Sequence, residues 1–266
     1  MNKLTIKLIV WHVTVLILAL LMWGSGSGAS FNQTTGIDIE ILSLGAFLLL
    51  TSVIVIGYAL FRYRWWAWPS VVSLIVGGLF VAQFGFSWLN LVGVIMFMAL
   101  NYWTYGRVGQ ELSQRFRVNI SAILRQGLMP VVLGIFIMIS FAAYQSPLAE
   151  NLEKSERLPS VSQNFIRSIV EQTVGRQVQT SNETEKQNII TQITNETFGE
   201  INTFLKPYFQ YAPPLLAFGL FLILWGLSWI FVWLSVLLGM LIFWILKKTK
   251  FIKIEKYTIE AEKLTV

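Results

Sequence analysis

Six blocks of apolar residues constrain the fold of this chain more than any other feature of its sequence. Five of them precede a polar stretch at 146–211, and the sixth follows it at 213–246. A bilayer core about 30 Å thick needs about 20 apolar residues per helix, more than a helix in a soluble core requires. Only 13% of the residues are charged, against about a quarter in soluble domains. The sequence therefore predicts an all-α, polytopic membrane helix bundle with about six transmembrane helices.

The first apolar block has two interpretations. Lys3 and Lys7 precede the run Leu8–Trp23, and a Gly/Ser-rich segment follows at 24–30. A charged start, an apolar centre and small residues are also features of a cleaved secretory signal peptide. We favour a retained first helix, because the run already reaches about 16 residues and the residues before Leu8 can extend it.

The next four blocks complete a predicted five-span bundle at 1–145. They cover Ile41–Phe61, Ser70–Phe86, Ser87–Tyr105 and Leu128–Tyr144. The third and fourth spans are short and adjoin, which predicts a tight hairpin between them. A re-entrant pair that does not fully cross the bilayer is the alternative. Small residues at Ser73/Gly77 and Gly78/Ala82 have the spacing that lets two helices approach closely.

The segment 107–126 joins the last two spans of this bundle and is basic. It contains four arginines and one glutamate, and its apolar residues recur at near-helical spacing. This combination is typical of an amphipathic helix on an anionic membrane surface. We predict a cytoplasmic basic connector that leads into the fifth span.

The last apolar run is longer than a bilayer requires. Its 34 residues at 213–246 would form a helix of roughly 50 Å at 1.5 Å per residue. One tilted helix could project past the membrane, or two short spans could turn near Gly226–Ser228. We favour a single long sixth membrane helix at 212–246, because the lysines that follow at once favour the cytoplasm.

The distribution of Lys and Arg predicts the orientation. Fourteen of the 20 fall in the N-terminal segment, the two basic connections and the tail 247–266. Short cytoplasmic loops are enriched in these residues, whereas long domains cross the membrane largely regardless of charge. We therefore expect cytoplasmic N- and C-termini, a basic cytoplasmic tail, and an extracytoplasmic lobe at 146–211. The protein is expected in the plasma (bacterial inner) membrane as a multi-pass protein.

The lobe is predicted to be an αα-hairpin inserted before the last membrane helix. Ser160 with Gln163 and Asn182 with Glu185 match the capping box that opens a helix, and Pro207 is expected to end the second helix. Each helix carries an apolar stripe, and so small a unit is marginally stable alone. The hairpin therefore needs another surface, such as the bundle, the bilayer, a second copy or a membrane-protein partner. The candidate docking residues are Phe165, Ile169, Ile190, Ile193, Ile201 and Phe204.

Two features each have a structural interpretation and a functional one. The Trp65, Trp66 and Trp68 cluster is typical of an interfacial anchor, with a ligand-stacking cage as the alternative. His12 is the single histidine. A structural hydrogen bond is its common role in such a position, and a proton relay is the alternative.

The sequence carries no catalytic, metal or nucleotide signature, and we expect no cofactor and no nucleic-acid binding. There is no Cys, and no ionisable residue lies deep in a predicted span, where transporters and pumps usually need one. The chain is thus expected to be a non-enzymatic membrane protein with an assembly, sensing or scaffold role. A channel or transporter component for uncharged or hydrophobic solutes, with Gln83 and Asn90 on its path, is the alternative. A membrane enzyme using Asp38, Glu40 and Glu150 is a third interpretation that no residue spacing supports.

Overall fold

The computed structural model of the protein is built almost entirely from helices. It describes residues 3–24, 31–32, 36–37, 41–62, 66–114, 118–147, 149–150, 154, 158, 160–173 and 183–252. The helices are α1 (Lys3–Gly24), α2 (Ile41–Phe61), α3 (Trp68–Phe84), α4 (Trp88–Gln114), α5 (Ile120–Tyr144), α6 (Ser160–Thr173), α7 (Glu183–Leu205) and α8 (Ala212–Lys248). A 3₁₀ helix, Lys206–Tyr211, joins α7 to α8. Between α1 and α2, the two-residue strands β1 (Phe31–Asn32) and β2 (Gly36–Ile37) pair antiparallel.

Several of these helices fit a membrane. Leu4–Gly24, Ile41–Phe61, Ile120–Tyr144 and the continuous helical segment Thr184–Lys248 are each long and apolar enough to cross one. α3 is apolar but has only 17 residues, and α4 is not among the four. The architecture is thus a helical bundle with several candidate membrane helices.

Helices α1–α5 and α8 form the bundle, in which α5 packs extensively against both α4 and α8. Glycines permit close approaches: a Cβ at Gly134 would lie 2.7 Å from the Phe97 ring, and one at Gly77 would lie 2.5 Å from Val94. Ser73 and Gly77 therefore pack as their spacing predicts. Gly78, in the second predicted pair, has no neighbour within 4 Å of its Cβ position.

Buried polar groups connect helices inside the bundle. Tyr58 on α2 donates to the Asn101 side chain (3.2 Å), and Asn101 donates to Ser73 on α3 (3.0 Å). Ser52 on α2 donates to the backbone oxygen of Ser235 on α8 at 2.7 Å. Such bonds satisfy polar groups that hydrocarbon cannot hydrate. They fix the rotation of each helix about its axis.

Two tryptophans attach α1 to its neighbours in a similar way. The indole of Trp11 donates to the backbone oxygen of Val53 on α2, and that of Trp23 donates to Val76 on α3, both at 3.1 Å. Most of the remaining surface of α1 is exposed. One buried face, which also includes Val15, Ala19 and Met22, therefore holds the helix against α2 and α3.

The structure alters two predicted boundaries. The segment 107–126 is not a separate surface helix: its first part continues α4 to Gln114, and its last part opens α5. Val108 and Glu111 are buried, and Asn119 accepts from the backbone N–H of Ala122 as an N-cap. Packing against α5 thus continues α4 past the predicted end of its span. Of the predicted tail 247–266, only residues 247–252 are among the described residues.

The predicted tight hairpin between the third and fourth spans is present. Only residues 85–87 separate α3 from α4, and Gly85 has a φ of +88°, which favours glycine. Asn90 closes the turn by donating to the Gly85 oxygen at 2.9 Å.

Candidate functional site: the exposed face of the hairpin and the start of α8

Helices α6 and α7 form the predicted αα-hairpin, and polar side chains link them along their length. Gln163 donates to Asn195 at 2.9 Å, Arg167 to Gln187 at 3.1 Å, and the Leu158 backbone to Asn202 at 2.9 Å. The helices begin at Ser160 and Glu183, close to the predicted starts. Residues 174–182, between the two helices, lie outside the described residues.

The six candidate docking residues divide into two groups. Phe165, Ile169 and Phe204 are exposed, with 66%, 46% and 72% of their surface accessible. Ile193 and Ile201 are half-buried. Ile190 is only 2% exposed, so it belongs to the interior of the hairpin and cannot form part of a docking surface. The apolar stripe of α7 thus serves both the hairpin interior and its outer face.

The bundle does not cover this outer face. The hairpin packs chiefly on itself and, through the 3₁₀ helix, on the start of α8. Among the described residues, no extensive packing joins α6 or α7 to α1–α5. The three side chains therefore stay largely exposed, although the Phe204 ring has the Tyr208 ring beside it, with centroids 6.2 Å apart.

Pro207 ends the second helix of the hairpin as predicted, but the chain stays helical beyond it. The α-helix ends at Leu205, but the 3₁₀ helix continues directly into α8. The segment Thr184–Lys248 is thus one continuous helical segment of 65 residues, which we call the rod; the lengths of its helices sum to roughly 100 Å. Proline is tolerated in the first turn of a helix, and here Pro207 stands at the start of the 3₁₀ helix. The rod connects the hairpin to the far end of the bundle.

Large exposed side chains continue along the rod from Phe204 in steps of four and three residues. We call this set the exposed seam. It consists of Phe204, Tyr208, Tyr211, Leu215, Phe218 and Leu222. Within α8 this spacing places successive residues on one face. The sequence analysis treats Pro207 only as the end of a helix and therefore misses the seam. The spacing of the large residues, which continues across Pro207, is the feature that could have identified it.

The outer part of the seam lies beyond the end of α5. Phe231 on α8 contacts Phe136 on α5, with ring centroids 5.4 Å apart, and the two helices run antiparallel. Moving eight residues along each helix sets Tyr144, the last residue of α5, level with about residue 223 of α8. Residues 212–222 thus extend roughly 16 Å past it at 1.5 Å per residue.

Exposed ion pairs lie near and on the hairpin. Lys154 donates to Glu150, and Arg167 donates to Glu171 at 3.0 Å. The hydrogen bond and the charge of Lys154 lower the pKa of Glu150 below its usual value. Exposed pairs of this kind contribute little to stability. These exposed pairs therefore do not form a buried charged site.

The residues of the alternative interpretations are hydrogen-bonded within the fold, exposed, or outside the described residues. Asn90 bonds to Gly85 and accepts from Gln145 at 3.2 Å, and Gln83 is exposed. Asp38 and Glu40 lie outside the described residues, and Glu150 pairs with Lys154. No cluster of metal-ligating side chains occurs in the described part of the chain.

His12 is placed by its own helix and by aromatic rings. Its Nδ1 lies 2.9 Å from the Leu8 backbone oxygen, so Nδ1 carries the proton and donates. The ring centroid lies 4.6 Å from that of Trp11 and 5.0 Å from that of Trp68. These contacts fit the structural interpretation of His12.

Comparison with protein-family models, with curated proteins and with solved structures finds no match.

Proposed function

We propose that this chain is a non-enzymatic, six-span protein of the plasma (bacterial inner) membrane that docks a partner outside the membrane. The partner is a second copy or another membrane protein, and the role is assembly, sensing or scaffolding. The six spans are α1–α5 and α8, with both chain ends in the cytoplasm and the hairpin outside. The observation that carries the proposal is the exposed seam on a rod that runs without a break into the bundle.

The length of α8 supports the docking role. Its 37 residues span roughly 55 Å, whereas the hydrocarbon core is about 30 Å thick. With the bundle in the bilayer, residues 212–222 stand in the headgroup region or in water. Leu215, Phe218 and Leu222 would each cost on the order of 1.5–3 kcal/mol if left in water. A protein surface that covers them removes this cost.

Charge supports the orientation. In the described residues, Lys7, Arg62, Arg107, Arg125 and Lys248 lie at the end of the bundle opposite the hairpin. Lys and Arg near membrane helices favour the cytoplasmic side. The hairpin is then outside, and the rod connects the two compartments.

Photocrosslinking in native membranes tests the docking role. A benzoylphenylalanine placed at Phe204 or Phe218 should form one adduct of defined mass: twice the chain mass for a second copy, or another fixed mass for a membrane-protein partner. The matched control places it at Thr203, which is exposed beside Phe204 but outside the seam.

The control position should give at most a few per cent of that adduct. Phe218→Ser combined with the Phe204 probe should reduce the adduct severalfold, because both residues belong to one surface. Adducts with lipid alone, or equal adducts at Thr203 and Phe204, would contradict a docking seam.

A further inference from the structure

A groove between α1, α2 and α8 opens at the end of the bundle opposite the hairpin. Its cavity volume is about 120 Å³. Apart from Lys7 and Thr14, its lining is apolar or glycine. An apolar cavity of about 150 Å³ is enough to bind one benzene. The groove can therefore hold a stretch of acyl chain of similar size.

Trp11 packs directly against Gly57, and the two residues form part of the wall of this groove. A Cβ at Gly57 would overlap the Trp11 ring, so glycine is required for the ring to lie against α2. The indole N–H is then satisfied by the Val53 oxygen at 3.1 Å. The tryptophan is held in place and turns an apolar surface towards the groove.

Among the described residues, Lys7 is the one cation that lines the groove. The ammonium of Lys7 donates to the Phe251 backbone oxygen at 2.5 Å and lies 4.7 Å from the centre of the Phe251 ring. An ammonium carries three donors, and this bond uses one. Lys7 is thus fixed at the first turns of α1 with donors left for an anion.

The surroundings of Lys7 favour an anion. Lys247, Lys248 and Lys250 follow at the end of α8. Of the described carboxylates, Glu111 alone lies at this end of the bundle, where it is buried and accepts from Gln126 at 2.8 Å. The groove is lined by α1, α2, α8 and Phe251, so this carboxylate does not line it.

We infer that the groove binds one anionic phospholipid from the leaflet at this end of the bundle. One acyl chain lies along Ile56, Leu60, Ile242 and Leu246, and the phosphate contacts Lys7. Basic residues near a membrane surface attract anionic lipids by about 1 kcal/mol each, equal to about fivefold in affinity. The site is independent of the partner proposed for the hairpin, and it does not depend on which compartment this end faces.

Native mass spectrometry of the full chain, released from detergent, tests the site. Phosphatidylglycerol and phosphatidylcholine with identical acyl chains are the two probes. The wild type should bind its first phosphatidylglycerol about fivefold more tightly than phosphatidylcholine. Lys7→Gln should abolish this preference. Arg107→Gln should leave it intact, because the Arg107 guanidinium lies over the Trp103 ring, 5.3 Å from its centre, and belongs to α4, which does not line the groove.

A second pair of variants tests the acyl chain and does not depend on the charge. Ile242→Trp fills the groove and should weaken the first binding of both lipids severalfold. Ile245→Trp, on the exposed side of the same helix, should not. Equal binding of the two lipids by the wild type would overturn the inference, as would equal losses in Lys7→Gln and Arg107→Gln. If Lys7→Gln fails to fold, equal binding by Ile242→Trp and Ile245→Trp overturns it.

Discussion

The two halves of α8 are similarly apolar but have different surroundings. In the half that lies along the bundle, Gly239 faces Leu124 of α5 and Ser235 meets Thr51 and Ser52 of α2. In the half near the hairpin, Gly219 and Gly226 have no neighbour within 4 Å of their Cβ positions. Large residues such as Leu215 and Phe218 beside them are exposed.

This difference shows that apolarity alone does not identify what a membrane helix packs against. Lipid is as apolar as leucine, so helices associate where small residues permit close contact and polar groups find partners. The inner half of α8 meets both conditions within the chain. The outer half has the small residues, but Gly219 and Gly226 have no neighbour within 4 Å of their Cβ positions in the described chain; in our proposal a partner supplies that neighbour.

The largest expected effect comes from filling these glycine positions. At Gly239 a Cβ would lie 2.8 Å from Leu124, so Gly239→Val overpacks the α5–α8 contact and should lower the free energy of unfolding by about 2 kcal/mol. Gly226→Val should change it by less than about 0.5 kcal/mol. Unfolding in mixed detergent micelles measures both. Equal losses would mean that the two halves of α8 are packed alike.

A smaller effect is expected from the hydroxyl that joins α2 to α8. The Ser52 hydroxyl has one proton and lies 2.7 Å from both the Leu48 oxygen of its own helix and the Ser235 oxygen of α8, so the two acceptors share it. Ser52→Ala removes this shared bond and should cost about 0.6 kcal/mol, the mean for hydrogen bonds between membrane helices. Ser140→Ala is the control, because that buried hydroxyl bonds only within α5, to Phe136. The same unfolding assay compares them. If Ser140→Ala lowers the free energy of unfolding as much as Ser52→Ala does, the Ser52 hydroxyl does not specifically link α2 to α8.

The smallest effect concerns the exposed pair before the hairpin. Since Lys154 holds the pKa of Glu150 low, Lys154→Met should raise that pKa towards its usual value. Any stability from the pair is present above the usual carboxyl pKa and is lost as the pH falls through the lowered value. NMR titration of the Glu150 carboxyl carbon measures the shift. An unchanged pKa in Lys154→Met would show that the pair does not form in solution.

Much of the fold could be predicted because it follows from length and local pattern. The bilayer length of the apolar runs located α2, and the capping residues located α6 and α7 to within a few residues. The short connection at 85–87 followed from two adjacent apolar runs. Helix starts depend on neighbouring residues, so the sequence carries them directly.

The remaining features depend on contacts between distant residues. The continuation of α4 to Gln114 depends on burial of Val108 and Glu111. In the sequence, these residues belong to a segment with the pattern of an amphipathic surface helix. The role of Ile190 inside the hairpin depends on which side of α7 meets α6. The groove at Lys7 requires α1, α2 and α8 together, and no local pattern contains it. Periodicity identifies an apolar face but not what covers it.

Labelling of single cysteines along the rod tests most directly whether it projects from the membrane and crosses it once. The native chain has no Cys, so Gln192→Cys, Phe218→Cys, Ser235→Cys and Lys250→Cys can each be probed alone in intact cells with an impermeant maleimide. Residue 192 should react from outside, 218 should react from outside once partners are removed, 235 should be protected, and 250 should react only after the cells are opened. Reaction of 192 and 250 from the same side, or protection of 218 equal to that of 235 after the membrane is stripped of partners, would contradict the proposed arrangement.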